Sequence, residues 1–562
     1  MSLKQCHIGL SVSGHDPAIA IIDEKGEVAF AEATERFVQQ KRAWGILPDH
    51  PEHIRSILPK YIDNNSEIFI AKTWLSSKRE LPLNVSGGFM FEDNDIKWLL
   101  GLQSYSFNEA GNNIRHLYGD KVKKDECFDH HLTHAVNASY SAPFSNALCL
   151  VIDGEGEVGA ASLYRLESRR LKRIWRSWGP GSLGSYYGLL TKLCGFDWRV
   201  GEEWKVMGLA AYGKFDISIL DNLKKLVQVK NGKLFFPPSK EVLDLLVELR
   251  KSGREHNEDI MKASDLAFNG QLAYSYFLDQ ILKSIQLESD ENLILTGGCA
   301  LNSAYNGTII KNHNFKNIHV PSAPADDGNA VGAALLSWMK YNQTNKIPSG
   351  DGSPYLGTDI RDNLTKKKRQ AILKHHSFSR VESCIADSGY QVAQLLYQGK
   401  IIGIMRGRAE FGPRALGNRS ILADPSRLNC KEYINSRVKG REDYRPFAPV
   451  VFEKDIKRFF DYNLPSPYMS YTLPWKEDFL KKIPGVVHHD NTGRLQTINK
   501  ERNPWLSSVL NEFEALGKLP VLLNTSFNVM GKPIIHSVED AMAVLTTTGL
   551  DGLLIDDLLI VK

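Results

Sequence analysis

No stretch of this sequence approaches about 18 uninterrupted apolar residues, and its opening, MSLKQCHIGLSVSGHDPAIAIID, has no basic flank leading into a long apolar region. A cytoplasmic location and no membrane partner are therefore expected. Cysteine is sparse: the seven present (Cys6, Cys127, Cys149, Cys194, Cys299, Cys384 and Cys430) are odd in number, scattered and without CxxC spacing. That argues against a disulfide framework and a thiolate zinc site, and most are expected to be buried filler. A marked charge excess is missing too, with 69 basic against 65 acidic residues, so the balance does not select an anionic partner. What remains is ordinary globular composition over 562 residues, more than one hydrophobic core supports. At least two domains are expected, which argues against a single-module binding protein.

Two segments share one pattern. From Cys6, CHIGLSVSGHDPAIAIIDEKGEVAFAEATE runs as an apolar strand, a polar turn at Ser13-Gly14-His15-Asp16, a second strand, a turn and a third strand. From Ala147, ALCLVIDGEGEVGAASLYRLESRRLKRIWR repeats it, with Asp153-Gly154-Glu155-Gly156 at the first turn. A repeated hairpin whose tight turn faces phosphate is how actin/hexokinase-like ATPases are built; two unrelated hairpins are the plainer reading. Further on, ENLILTGGCALNSAYNGTII reads as strand, Gly297-Gly298 turn and helix, an arrangement that lets backbone N–H groups approach a nucleotide. Residues 341 to 370 are rich in Asn, Gly, Ser, Pro and Lys, which places a domain linker there. Beyond it, GKIIGIMRGRAE and KLPVLLNTSFN frame a second α/β domain.

Two constellations carry chemistry. In FDHHLTHAVNASYSA, His130 and His134 lie four apart in a helix-compatible segment and project from one face, whereas His131 lies on another. Carboxylates at strand-to-turn junctions, Asp153 in LVIDGEG and Asp326 in PSAPADDGNAVGAAL, complete a donor set. Two imidazoles and two carboxylates suit Fe²⁺, Mn²⁺ or Zn²⁺ better than Mg²⁺. Taken alone, paired histidines are more often incidental. The second constellation is cationic: Arg406, Arg408, Arg414, Arg419, Lys439, Arg441, Arg445 and Arg494 stand among Gly and Pro without helical spacing. Guanidinium forks match phosphate and carboxylate oxygens, as a site for a small dianion and ATP requires; a surface salt-bridge network is the bland alternative. Asn524, Ser526 and Asn528, at the end of a buried-type strand, are able to hold an adenylate or a carbamoyl amide, or are turn formers.

Together with ERFVQQKR, SLGSYYGLLTKLCGF, EEWKVMGLAAYGK, LTGGCALN, FGPRALGNRSILADP, VKGREDYRPFAPVV and LLNTSFNVMGKPI, these motifs resemble, in order over almost the whole chain, the NodU/CmcH family of O-carbamoyltransferases, which includes tobramycin carbamoyltransferase. One departure is GHDPA, where relatives commonly have an HDAS-like stretch. The resemblance implies an α/β protein with a duplicated actin/hexokinase-like (ASKHA) domain, similar to threonylcarbamoyl transferases, over 1–345. A linker over 346–375 and a YrdC-like domain over 376–562 would follow. It implies ATP and carbamoyl phosphate as co-substrates, Mg²⁺ with ATP, and carbamoyl adenylate made in the second domain and used in the first. His130, His134, Asp153 and Asp326 would be iron ligands, or ligands of another divalent metal. His15, with Asp16, would act on the acceptor hydroxyl. Arg414, Lys439, Arg445, Arg494, Asn524 and Ser526 would form the carbamoyl phosphate and adenylate pocket, and Gly297, Gly298 and Asn302 a nucleotide-contacting loop.

The competing reading is an actin-like ATPase or sugar kinase, which explains the duplicated hairpin without using the arginine-rich domain. The acceptor stays open between a small natural product or sugar and a hydroxymethylated pyrimidine such as 5-hydroxymethylcytosine in phage-type DNA. The basic stretches Glu167 to Arg176 with Trp175 and Trp178, Leu223 to Lys233 and Thr365 to Gln370 are where nucleic acid would be tracked, or are solvated faces. A homodimer is left open.

Overall fold

β-Branched and leucine-rich runs bounded by glycine turns become strands, and the computed structural model describes them over residues 3–76, 93–177, 181–237, 239–286, 291–374, 378–384 and 387–562. Trp178 lies outside the described residues. The chain divides into two units, Met1–Gly352 and Ser353–Lys562.

In the first unit, β1 (Gln5–Leu10), β2 (Ala18–Ile22) and β3 (Val28–Ala33) form an antiparallel meander, and β4 (Glu67–Thr73) and β5 (Val122–Phe128) extend it in parallel from β1. A second sheet repeats this. β6 (Ala147–Ile152), β7 (Ala161–Glu167) and β8 (Arg170–Arg176) form the meander; a small hairpin, β9 (Gln228–Lys230) with β10 (Lys233–Phe235), intervenes; then β11 (Asn292–Thr296) and β12 (Asn317–His319) extend the sheet in parallel from β6. The orders β3-β2-β1-β4-β5 and β8-β7-β6-β11-β12 are equivalent strand for strand, so the repeated hairpins belong to a duplicated five-stranded α/β half.

Two helices are sandwiched between these sheets. Asn329–Tyr341 packs on β1, β2 and β4, and His130–Ser141 packs on β6 and β11 and on the first helix. Glycine sets the spacing on both sides of Asn329–Tyr341. A Cβ at Gly9 would stand 1.8 Å from Ala330 O, and one at Gly332 would stand 1.9 Å from Thr133 O. Gly332→Ala is expected to cost about 3 kcal/mol of stability, because backbone rather than a flexible side chain would have to move. Calorimetry checks this, and an unchanged Tm would mean that the two helices do not approach so closely.

The second unit is built on one mixed nine-stranded sheet. Its strands are β13 (Arg380–Ser383), β14 (Ile402–Met405), β15 (Arg419–Ala423), β16 (Ala448–Phe452), β17 (Tyr471–Pro474), β18 (Thr492–Ile498), β19 (Leu522–Ser526), β20 (Gly552–Ile555) and β21 (Leu558–Val561). They are ordered β13-β21-β20-β14-β15-β19-β16-β18-β17. The helices Ser388–Tyr397 and Pro504–Ala515 pack together, and their Leu396, Leu506 and Phe513 share a core with Ile404, Leu422 and Leu522 of the sheet. Of the glycine- and serine-rich stretch read as a linker, Ile347 and Gly350 hydrogen bond to Arg169 and Tyr140 of the first unit. Gly357 and Ile360 bond to Ala409 and Gly407 of the second.

Candidate active site

The first unit gathers two imidazoles and two carboxylates. Asp129 caps the helix His130–Ser141 by accepting from Leu132 N–H, which sets His130 and His134 one above the other on the inward face. Asp153 follows directly on β6, and Asp326 opens the turn leading into Asn329–Tyr341. His130 Nε2 is 3.0 Å from Asp153 and 3.5 Å from Asp326, while His134 Nε2 is 3.3 Å from both. One ligand atom from each of the four residues lies within 4.8 Å of the others, and all four residues are buried.

Burial by itself would lower the His130 imidazole, but Asp326 and Asp153 push it up to about 10. Burial opposes ionisation of Asp326 as well, yet His130 and His134 hold it well below the carboxylate range. His134 Nδ1 is buried without a hydrogen-bond partner among the described residues, and its Nε2 faces the two carboxylates. Two imidazole nitrogens, His130 Nε2 and His134 Nε2, facing two carboxylates fit a divalent cation of borderline softness, Fe²⁺ included. The Asn329 amide nitrogen stands 3.4 Å from His130 Nδ1, and its own Oδ1 is buried with no hydrogen-bond partner among the described residues. Trp74 stacks on His130 at 4.0 Å. His131 turns away to Ser162 at 2.8 Å, and burial pushes its imidazole down to about 3.

His15 lies beside this cluster, its Nε2 3.9 Å from Asp326 and its Nδ1 2.9 Å from Asp16. Arg42 donates to Asp16 at 3.1 Å and also pairs with Glu203 at 3.6 Å. Asp16, Arg42, Ala43 and Trp74 all have φ between 39° and 73°, unusual for residues with a side chain. Gly298 N–H donates to Asp153 Oδ1 at 2.9 Å, tying the glycine loop to the metal-type cluster. Gly297 has φ 92°, and a Cβ there would stand 2.2 Å from Ile152 O. Asn302 is occupied locally, accepting from Tyr305 N–H and bonding Gln271.

The second unit gathers cations. Arg494 is held well below the guanidinium range by burial and by Arg414, Arg441 and Arg445, and burial alone brings Arg414 to about 10. Arg445 pairs with Glu442 at 3.3 Å and Arg441 with Asn435 at 2.6 Å. Lys439 ends a π-helix, Ile434–Lys439, and its ammonium donates to Ser526 O at 2.6 Å, Asn528 O at 2.9 Å and Asn528 Oδ1. Ser526 donates to Asn528 Oδ1 at 2.8 Å. Asn524 donates to Ala415 O and Gln496 Oε1, while its own Oδ1 is buried and free of partners among the described residues.

Three arginines of the cationic constellation do other work. Arg419 is fully buried and donates to the carbonyls of Arg406, Gly407, Asn418 and Thr358. Arg408 donates to Leu356 and Gly357, and Arg406 lies over Trp505. The basic stretches are engaged as well: Arg173 and Arg176 with Asp129, Arg170 with Asn345, Lys368 with Glu539, Arg369 with Asp557, and Lys224 over Tyr276. Sequence reasoning missed Arg42, Asn329, Trp74 and His488, whose buried imidazole is pushed down to about 4. Arg42 lay within the quoted ERFVQQKR and Asn329 within PSAPADDGNAVGAAL; Trp74 and His488 carried no local signal.

The first unit, a duplicated α/β unit, and the second, a mixed-sheet unit, each gather one polar cluster. Family models for the carbamoyltransferase N-terminus and C-terminus match residues 6–335 and 393–562, and the chain belongs to the carbamoyltransferase family. It is a carbamoyltransferase enzyme. It is 32% identical to nodulation protein NolO of Bradyrhizobium diazoefficiens, over 77% of this chain and 79% of that protein. It is 34% identical to nodulation protein NolNO of Sinorhizobium fredii, over 77% of this chain and 63% of that protein, less than two thirds of that relative's length. Among solved structures it is similar to HypF of T. kodakarensis, at 13% identity and a TM-score of 0.38, over 61% of this chain and 48% of that one. Among the described residues, no helix is long and apolar enough to cross a membrane.

Proposed function

We propose that this carbamoyltransferase uses ATP and carbamoyl phosphate to make carbamoyl adenylate in a YrdC-like second unit, and carbamoylates an acceptor hydroxyl in an actin/hexokinase-like first unit. The observation that carries the reading is the pair of chemically unlike sites, one with excess positive charge and one with a histidine and a carboxylate beside a metal-type cluster. In the second unit, Arg414, Arg441, Arg445 and Arg494 repel one another until an anion enters, as carbamoyl phosphate beside ATP would. Asn524 Oδ1 is available to accept from the carbamoyl amide. Balance requires one water: carbamoyl phosphate loses phosphate to it, and the carbamate oxygen displaces pyrophosphate from ATP.

In the first unit, His130, His134, Asp153 and Asp326 would hold the divalent cation, which polarises the carbamoyl carbonyl when bound. His15 Nδ1 lies 2.9 Å from Asp16 and 3.2 Å from Arg42 Nη2; in the tautomer that carries the proton on Nδ1 and donates it to Asp16, Nε2 has the lone pair that takes the acceptor proton. Arg42 holds Asp16 ionised and in place. As the acceptor oxygen bonds to the carbamoyl carbon, the bond to the adenylate phosphate oxygen breaks and AMP leaves with the electron pair. Gly297, Gly298 and Asn302 would border the nucleotide.

The products decide between this reading and a kinase. With ATP and carbamoyl phosphate, AMP, pyrophosphate and phosphate are expected; ADP as the nucleotide product would favour the sugar-kinase alternative.

A further inference from the structure

Beside His15 stands an aromatic surface that the transfer chemistry does not use. Trp44 lies 4.9 Å from the His15 ring, and Trp98 lies 4.6 Å from Trp44, tilted by 42°. Trp198 meets Trp44 edge-on at 6.4 Å, and Arg42 covers it at 5.1 Å. The placement is built. Gly45 N–H bonds Gly14 O and Asp16 N–H bonds Arg42 O, so the loop carrying Trp44 is stitched to the turn carrying His15. The helix Asp93–Glu109 packs its Leu102 and Gln103 against Gly45 and Gly14, which brings Trp98, one turn earlier, over Trp44. Trp44 also donates to Arg199 O. Left-handed backbone at Arg42 and Ala43, just before Trp44, is held despite its cost. Trp98 keeps 38% of its surface in solvent, so its ring is within reach of a ligand.

Charge narrows what this surface takes. Arg42 is matched by Asp16 and Glu203, and Arg199 by Asp197 and Asp95. Lys205, over Trp204, is paired with Glu202 at 2.6 Å. A surface whose arginines each face two carboxylates opposes a phosphate backbone, which needs cations to replace its counterions. It accepts a neutral or cationic ring, whose C–H bonds or positive charge lie favourably on an indole face.

Resting on the transfer reading above, we infer that Trp44 and Trp98 are specificity-determining residues. They form a stacking platform for the acceptor that holds a neutral or cationic saturated ring with its hydroxyl toward His15 and turns away polyanions. The test measures binding of methyl β-D-glucopyranoside, methyl β-D-glucosaminide and a single-stranded oligonucleotide carrying 5-hydroxymethylcytosine to the full chain by ligand-observed NMR, at low and high salt. The glycosides should bind wild type with little salt dependence, the oligonucleotide much more weakly. Trp98→Ala should weaken glycoside binding about tenfold, and Trp98→Phe should restore most of it. Trp98 is exposed, so an unaltered Tm keeps the comparison clean. Equal glycoside binding by Trp98→Ala, no glycoside binding by wild type, or tighter binding of the oligonucleotide would each overturn the platform. Pyrophosphate release from wild type is measured alongside; its absence would count against adenylate formation and leave the platform to be judged on binding alone.

Discussion

Replacing His134 by Ala should strip the first unit of its divalent metal and end carbamoyl transfer, while pyrophosphate release with ATP and carbamoyl phosphate continues. His134 Nε2 sits 3.3 Å from both Asp153 and Asp326, and its Nδ1 is buried without a hydrogen-bond partner among the described residues. Its removal leaves two buried carboxylates with one imidazole to balance them, a donor set too small for an enclosed four-residue site. Changing only a partner that orients a ligand typically costs 10–100-fold in affinity, so losing the ligand should cost about 100-fold or more. Metal content by mass spectrometry and both partial reactions are the readouts. Loss of pyrophosphate release in a folded His134→Ala protein would show that activation and transfer do not belong to separate sites.

The metal-type cluster was legible because each of its residues sits where local rules speak. Asp129 is an N-cap, His130 and His134 share a helix face, and Asp153 and Asp326 stand at junctions where a strand or loop gives way to a turn. The duplicated hairpin was legible through strand and turn chemistry, although the matched parallel strands β4, β5, β11 and β12 come from distant segments that no local pattern joins. The arginines were legible as a group but not individually. Nothing in RGRAEFGPRALGNRS tells that Arg419 spends its donors on four backbone carbonyls while Arg414 joins Arg494, because that difference is set by which strand pairs with which. The Trp44 and Trp98 platform was not legible at all: it depends on left-handed backbone at two non-glycine residues and on a helix more than 40 positions away.

Arg494→Ala should separate function from stability in the second unit. Arg494 is half-buried, and its Nε has no hydrogen-bond partner among the described residues. Its surroundings act on it through burial and the repulsion of Arg414, Arg441 and Arg445. A residue in that position contributes little to folding and works against it through like-charge repulsion, so its removal should leave Tm unchanged or raise it. Activation should move the opposite way. A charge-assisted contact to a phosphate or carbamate oxygen is worth about 1.5–3 kcal/mol, so pyrophosphate release at limiting carbamoyl phosphate should fall by roughly tenfold or more. Lys439→Ala is less clean, because its ammonium also secures Ser526 and Asn528, and both activity and stability should fall there. If Arg494→Ala lost Tm in step with activity, the guanidinium would be a structural brace. A higher Tm with weakened activation is what a site poised for an anion should give, since the repulsion stored among its arginines is the attraction the substrate meets on entering.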